Sequence, residues 1–427
     1  MKNYCNVSPN RNDLIEDFIA DYKLFALFNA PANIIFVDNF RKNIAKFKDI
    51  FGFFQMPNNI FFACKSNKSL ALMNESSKQG CGIEVSSYYE LKEALKYTNR
   101  IIASGPAKDS QYLTLALENN VIISIDDIEE LKEIIKLDVS ANVLLRISDL
   151  IRIISRFGIN ISQIDECLEM IKNSKVKLLG FTFHINNYNL DHRVNAIEEL
   201  LEIINKKQLN IKYIDIGGGF PVNYCKKEAY KNFLANNNEN MYFRKKKFKD
   251  FYPYYNEIAD EEALKYILNK IHHKLDGIEI VIEPGRSLLN DCGISIYNIK
   301  YVKHLDNGDN LIITNGNINC LSEQWFNTDY LIEPKLYKRN MDQILNEPFY
   351  ASVAGNLCLE QDMITWRKIK FDYMPERNDY LIYYNTAGYQ MDSNESNFHR
   401  IPLVKKLVAS KINDKYELIG DEEYDSK

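Results

Sequence analysis

Between about residue 30 and residue 290 the chain alternates short, fully apolar runs with longer stretches whose apolar residues recur every three or four positions. The first pattern is that of buried strands and the second that of amphipathic helices. Strands are expected at Asn33–Val37, Ile60–Cys64, Gly82–Val85, Arg100–Ala103, Val121–Ile125, Asn142–Ile147, Lys177–His184, Tyr213–Ile216 and Ile278–Glu283. Most are followed by a helical segment such as SYYELKEALKYT. About eight βα units of this kind predict an α/β fold, a closed (β/α)8 TIM barrel, whose reactive groups sit where strands end and βα loops begin. Lys65, Glu84, His184, Gly217, Gly218, Gly219 and Glu283 all fall at such ends.

After residue 290 the texture changes to β-branched and aromatic runs separated by turn residues, as in GISIYNIKYVKHLDNGDNLIITNGNIN, DYLIYYNTAGYQ and LVKKLVASKINDKYELI. A second, mainly β domain is expected there. The resulting division is a barrel over 31–290 and a β domain formed by 1–30 with 291–427. One insert, 222–262, is rich in Asn, Lys, Tyr and Phe and interrupts the barrel directly after its glycine run. It reads as a surface excursion, with a lid or a partner surface as the other reading.

Composition narrows the function classes. A chain of 427 residues with 46% hydrophobic content has room for two cores, and its net charge of −5 does not suggest disorder. The start, Met1-Lys2-Asn3-Tyr4-Cys5, carries no apolar run before a small-residue cleavage site, and no stretch has the roughly 18 apolar residues of a membrane helix. A cytoplasmic protein is expected, with no membrane partner. The eight cysteines form no CxxC pair, so neither a disulfide framework nor a zinc site is indicated, and no metal is expected. Nucleic acid is a poor match too, because the one dense basic run, Arg244 to Lys249, is short and local.

The candidate chemistry begins with Lys65, which closes an otherwise apolar strand in IFFACKSNKS. An amine at the mouth of an apolar barrel is partly desolvated, which disfavours its charged form and suits it to attack an aldehyde. Taken alone it would be a lysine snorkelling from a strand end. Its company changes the reading. YIDIGGGFP sets Gly217, Gly218 and Gly219 straight after a strand, where bare backbone amides can approach a phosphate. VIEPGRSLL ends another strand with Glu283, Gly285 and Arg286, a carboxylate able to pair with a protonated ring nitrogen and a guanidinium able to clamp phosphate. Lysine, glycine cradle, arginine and glutamate together point to pyridoxal 5'-phosphate.

These motifs resemble, in order, those of the fold type III pyridoxal-phosphate decarboxylases, the family of the ornithine, arginine and diaminopimelate decarboxylases. The resemblance runs from IFFACKSNKS through GCGIEVSSYYEL, ASGPAKD, SRFGI, FTFHINN, IDIGGGFP and IEPGR to GNLCLEQD and NTAGYQMD. It implies an alanine-racemase-like barrel joined to a β domain. It implies Lys65 as the Schiff-base lysine, with Glu84 beside it and His184 stacked on the cofactor ring. Gly217, Gly218, Gly219, Gly285, Arg286 and Asn187 would hold the phosphate, and Tyr389 would reach it from the β domain of a second subunit. Glu283 would keep the ring nitrogen protonated, which suits loss of carbon dioxide from Cα and separates decarboxylases from racemases of this fold. Cys358 would return a proton to Cα, on a loop that enters the neighbour's site, so a homodimer with shared sites is implied.

Departures from the family pattern bear on the substrate. After the cysteine, where the basic-amino-acid decarboxylases carry an acid, stands Leu359, and Glu360 one place on and Asp362 beyond it are the acids expected at the substrate. The family's H-x-G-S becomes His184-Ile185-Asn186-Asn187. No arginine lies between Cys320 and Tyr337, where diaminopimelate decarboxylases have one. The chain therefore looks closest to a divergent subgroup resembling decarboxylases of siderophore and other natural-product pathways, acting on a small-molecule amino acid that is conjugated or carrier-linked. A decarboxylase of free diaminopimelate, ornithine or lysine is the alternative, and an inactive pyridoxal-phosphate-binding homologue is the alternative of another class.

Overall fold

The computed structural model describes residues 7–21, 31–248, 250–321, 328–329, 333–339, 343–413 and 415–426. The chain divides into two compact units, one built from Arg41–Pro221 with Ile258–Leu288, the other from Met1–Phe40, Val222–Glu257 and Leu289–Lys427.

The first unit is the barrel. Its strands are β1 (Phe61–Ala63), β2 (Gly82–Val85), β3 (Ile101–Ala103), β4 (Ile122–Ile125), β5 (Ala141–Arg146), β6 (Val176–Thr182), β7 (Tyr213–Asp215) and β8 (Glu279–Val281). Each pairs in parallel with the next. The ring closes between the ends of the row, where Ile60 bridges Ile282 and the Phe61 N–H donates to the Ile282 carbonyl at 2.9 Å. Strands buried on both faces must be apolar throughout, which is why they read as unbroken runs rather than alternations. Phe61, Ile102, Leu144 and Val281 form one cluster of the unit's core.

The helices between them start at polar caps the sequence supplies. Ser69, Ser87, Asp109, Asp127 and Asn189 each accept a backbone N–H of the first turn that follows, satisfying a donor the helix leaves open. The longest of these capped helices, Leu190–Lys207, begins at Asn189.

The second unit is a nine-stranded sheet. Its spine is the twelve-residue strand Gly293–His304, bonded antiparallel to Ala32–Phe36, Asn310–Thr314 and Tyr380–Tyr384. Lys405–Ile412 and Lys415–Gly420 pair antiparallel, with residue 414 outside the described residues. Two findings depart from the sequence reading. The apolar run at Asn33–Val37 is not a barrel strand: Ala32–Phe36 lies between Gly293–His304 and Lys405–Ile412 in this sheet. A strand buried on both faces reads the same in either place, so the pattern could not tell its partners. The insert is not a plain surface excursion. Tyr224, Phe233, Met241 and Tyr254 are buried in one core with Tyr297, Val353 and Tyr383 of the sheet unit.

Candidate active site

The carboxyl ends of the barrel strands bring together most of the residues expected to be reactive. Lys65 does not end the strand itself. It stands in the single 3-10 turn Cys64–Ser66 that follows β1, where the chain leaves the barrel wall and the side chain reaches open space. Its Nζ donates to the Glu84 carboxylate at 3.1 Å. Glu84, on β2, is fully buried and accepts a second bond from the Ser86 hydroxyl at 3.1 Å.

His184 follows β6 and is half-buried. Burial, then the neighbouring positive charges of Lys65, Arg193 and Arg146, push its pKa down to about 3, so the imidazole is neutral across the working range. Next to it runs the glycine turn after β7. Gly217 and Gly219 have φ of +66° and +75°, a region that favours glycine. A Cβ on Gly218 would stand 2.4 Å from the Glu283 carbonyl, so this backbone is pressed against the end of β8 with no room for a side chain.

Glu283 itself, just past β8, is buried beside Asp215 of β7. Burial first, then repulsion from Asp215, lifts the Glu283 carboxyl well above the usual range. Asp215 is raised to about 6, chiefly by burial, although the Gly217 N–H at 2.9 Å and the Thr182 hydroxyl at 3.2 Å both donate to it. Each carboxylate raises the cost of ionising the other, so burial and mutual repulsion both favour keeping a proton on the pair. Gly285 comes next, so tight against Ser66 that a Cβ would lie 2.8 Å from that side chain, and Arg286 follows, half-buried. Asn187 lies beyond His184, its amide 3.2 Å from the His192 ring and its Oδ1 accepting the Asn189 N–H.

Sequence reasoning missed four members of this end of the barrel. Asp215 precedes the glycine motif, and Arg193 lies on the helix Leu190–Lys207. Arg146, at the end of β5, pairs with Asp126 at 3.0 Å and stands over the Phe157 ring at 4.5 Å. Lys108 is buried with Glu130 at 2.7 Å. A charged residue closing an apolar strand was the available signal for Arg146, as it was for Lys65. Arg193 gave none, since one arginine in a polar helix start is ordinary.

The remaining expected residues belong to the sheet unit. Cys358 is exposed, whereas Cys64, Cys81, Cys167, Cys225, Cys292 and Cys320 are buried. Glu360 is exposed and pairs with Arg244 of the insert at 2.6 Å. Asp362, expected at the substrate, is buried with both oxygens engaged by backbone donors, Ile318 N–H at 2.7 Å and Leu357 N–H at 2.6 Å. Its carboxylate shapes the Cys358 loop. Tyr389 is half-buried with φ of +68°, an uncommon backbone state for a tyrosine. Of the stretch between Cys320 and Tyr337, residues 322–327 and 330–332 lie outside the described residues.

The family described as pyridoxal-dependent decarboxylase, pyridoxal binding domain, matches residues 37–290, well over half of the chain. The chain belongs to that family. Among relatives of this decarboxylase, an uncharacterised protein, y4yA, of Sinorhizobium fredii is 32% identical over 90% of this chain and 88% of its own length. Diaminopimelate decarboxylase of Campylobacter jejuni is 26% identical, covering 89% of this chain and 92% of that protein. In fold, the decarboxylase superposes on diaminopimelate decarboxylase of M. jannaschii in complex with L-lysine with a TM-score of 0.75 at 19% identity, covering 93% and 91% of the two chains. On lysine decarboxylase of Selenomonas ruminantium the TM-score is 0.73 at 17% identity, covering 98% and 100%. The cofactor of this decarboxylase is pyridoxal 5'-phosphate and its reaction is that of a carboxy-lyase. The barrel fits that group on its own geometry. The amides of Gly218 and Gly219 bond to nothing else among the described residues, the neutral imidazole of His184 lies against Gly217, and Glu283 is a buried acid whose carboxyl is lifted well above the usual range.

Proposed function

We propose that this decarboxylase removes the α-carboxylate of an L-amino acid whose distal end is already conjugated, as in siderophore and other natural-product assembly. The observation that carries the chemistry is the Lys65–Glu84 pair, 3.1 Å apart at the same barrel mouth as the buried Glu283, whose carboxyl is lifted above its usual range, and the side-chain-free glycine turn. When bound, the cofactor supplies a conjugated ring that accepts the electron pair left at Cα as carbon dioxide departs.

The chain's own residues then have separable tasks. Lys65 would be the amine that holds the cofactor aldehyde, and Glu84 accepts its N–H and fixes it in place. The amides of Gly218 and Gly219, with Gly217, Gly285, Asn187 and Arg286, hold the phosphate. His184, neutral, would border the ring without adding charge to it. Glu283 would pair with the ring nitrogen and keep it protonated, and Asp215, hydrogen-bonded to it, keeps Glu283 in place. Cys358 returns a proton to Cα, and the chain works as a homodimer in which the Cys358 loop and Tyr389 complete the site of a second copy. Its exposure supports Cys358 in that part.

The substrate class rests on what the distal end would meet. Leu359 is 45% exposed where a basic substrate needs an acid, Glu360 is turned to Arg244, and Asp362 is occupied by the backbone. Among the described residues of that loop, a free ammonium group would find no dedicated carboxylate. The second reading, decarboxylation of free diaminopimelate, is favoured by the names of several relatives. Carbon dioxide release by the purified holoenzyme from free diaminopimelate, ornithine, lysine and arginine, and from citryl- and carrier-linked diamino acids, separates the two. Turnover confined to a conjugate is expected, and efficient turnover of a free diamino acid overturns the proposal.

A further inference from the structure

Arg193 is a buried cation whose surroundings are incomplete. It has no exposed surface, lying on the first turn of the helix Leu190–Lys207. One terminal nitrogen donates to the Asn187 carbonyl at 2.8 Å, and the other faces the carbonyls of Ile185, Gly218 and Gly219 at 3.0, 3.2 and 3.2 Å. Its Nε has no hydrogen-bond partner, and no carboxylate pairs with it among the described residues. Four carbonyl dipoles offset part of the cost of burying the charge, and a nearby anion would offset more. The guanidinium stays charged at neutral pH although burial pulls its pKa down to about 10.

The four carbonyls belong to the two segments that border the phosphate cradle, the loop after His184 and the glycine turn. A guanidinium that draws carbonyls to one side of a turn leaves that turn's N–H groups directed to the other. It fits so closely that a Cβ on Gly219 would be 2.4 Å from its terminal nitrogen. Its charge also reaches the site, since it is one of the causes, after burial and Lys65, that hold His184 neutral. The sequence supplies no serine hydroxyl at Asn187.

We propose that Arg193 is a positioning residue that holds the Gly217–Gly219 turn in its anion-accepting form and supplies the buried positive charge answered by the cofactor phosphate. This rests on the reading that the glycine turn takes the phosphate. A lysine could keep the charge but could not bridge both segments with one planar fork.

The test compares the dissociation constants of pyridoxal 5'-phosphate and of pyridoxal, which lacks the phosphate, for the cofactor-stripped full chain, read from the absorbance of the Lys65-bound chromophore. Arg193→Met is expected to weaken pyridoxal 5'-phosphate by roughly tenfold or more while changing pyridoxal less than about twofold. Arg193→Lys is expected to fall between, and Gly218→Ala to lose the phosphate preference as well. Equal losses for both ligands in Arg193→Met would mark a purely structural arginine and overturn the proposal. Loss in Gly218→Ala with none in Arg193→Met would overturn it and keep the cradle, whereas no loss in either would overturn the cradle reading too. If Arg193→Met does not fold, the phosphorus NMR shift of the wild-type holoenzyme decides together with Arg193→Lys. A resonance that stays that of the dianion from pH 6 to 8 in the wild type, and titrates in the lysine variant, supports the proposal. A wild-type phosphate that titrates freely overturns it.

Discussion

At the scale of single residues, the barrel mouth is a set of groups whose protonation the fold shifts away from that in water. His184, kept neutral well into acid, is the plainest case. Its folded pKa, about 3, lies below the ordinary 6.5, so the unfolded chain takes up the proton first. Its contribution to stability is therefore complete above about pH 6.5 and is lost as the pH falls from there toward 3, a term on the order of a few kcal/mol. The cofactor-free His184→Phe variant keeps the ring shape and has no proton to gain, and its urea midpoint is expected to fall less than that of the wild type between pH 6.5 and 4.5. Parallel losses would sink this account. Glu283 has the opposite sign. Its folded pKa is raised, so stability is full below about 4.5 and declines as the pH rises and only the unfolded chain gives up its proton. Glu283→Gln removes that decline. The cofactor-free variant is expected to match the wild type at pH 4.5, to exceed it at pH 8, and to lose most turnover when loaded, a trade of stability against activity. A variant less stable than the wild type at pH 8 would count against the shared proton.

At the scale of elements, the barrel depends on close backbone approach at a few places. The pairing of β5 with β6 slips by one residue between Val143 and Leu144, and Gly180 follows that slip. A Cβ at Gly180 would stand 1.8 Å from the Tyr213 carbonyl on β7. Gly180→Val is expected to force β6 and β7 apart and to cost roughly 3 kcal/mol or more, seen as a lower thermal midpoint with cofactor affinity falling alongside. A variant of unchanged stability would mean that the strands give way more easily than their backbone contact suggests. Strand existence was legible here, because eight of the nine apolar runs expected as strands do line the barrel. Pairing was not, because the strand Ala32–Phe36 carries the same pattern and serves the other sheet.

At the scale of the whole molecule, the insert after the glycine turn changes what the sheet unit is. Phe233 stacks edge-to-face on Phe251 at 5.1 Å, and the Arg367 guanidinium lies 5.5 Å from its ring. Arg367 is buried too, with Glu333 at 3.8 Å. Phe233→Ala is expected to cost about 3–5 kcal/mol in the stability of that unit, as a large core truncation does. Protease sensitivity that rises at 222–257 and across the sheet together would show it. A local effect confined to the insert would restore the surface-excursion reading. The described residues contain no helix long and apolar enough to cross a membrane.

The sequence by itself determined the βα alternation and the residues at its strand ends, because periodicity and the chemistry of Lys65, Gly217–Gly219, Glu283 and Arg286 are written locally. Only the tertiary structure decided which sheet received Ala32–Phe36 and that the insert is core. It alone revealed that Arg193 and Asp215 stand behind the cradle and the acid. Those facts concern groups far apart in the chain, and burial, pairing and shared protons exist only once the fold has brought them within bonding distance.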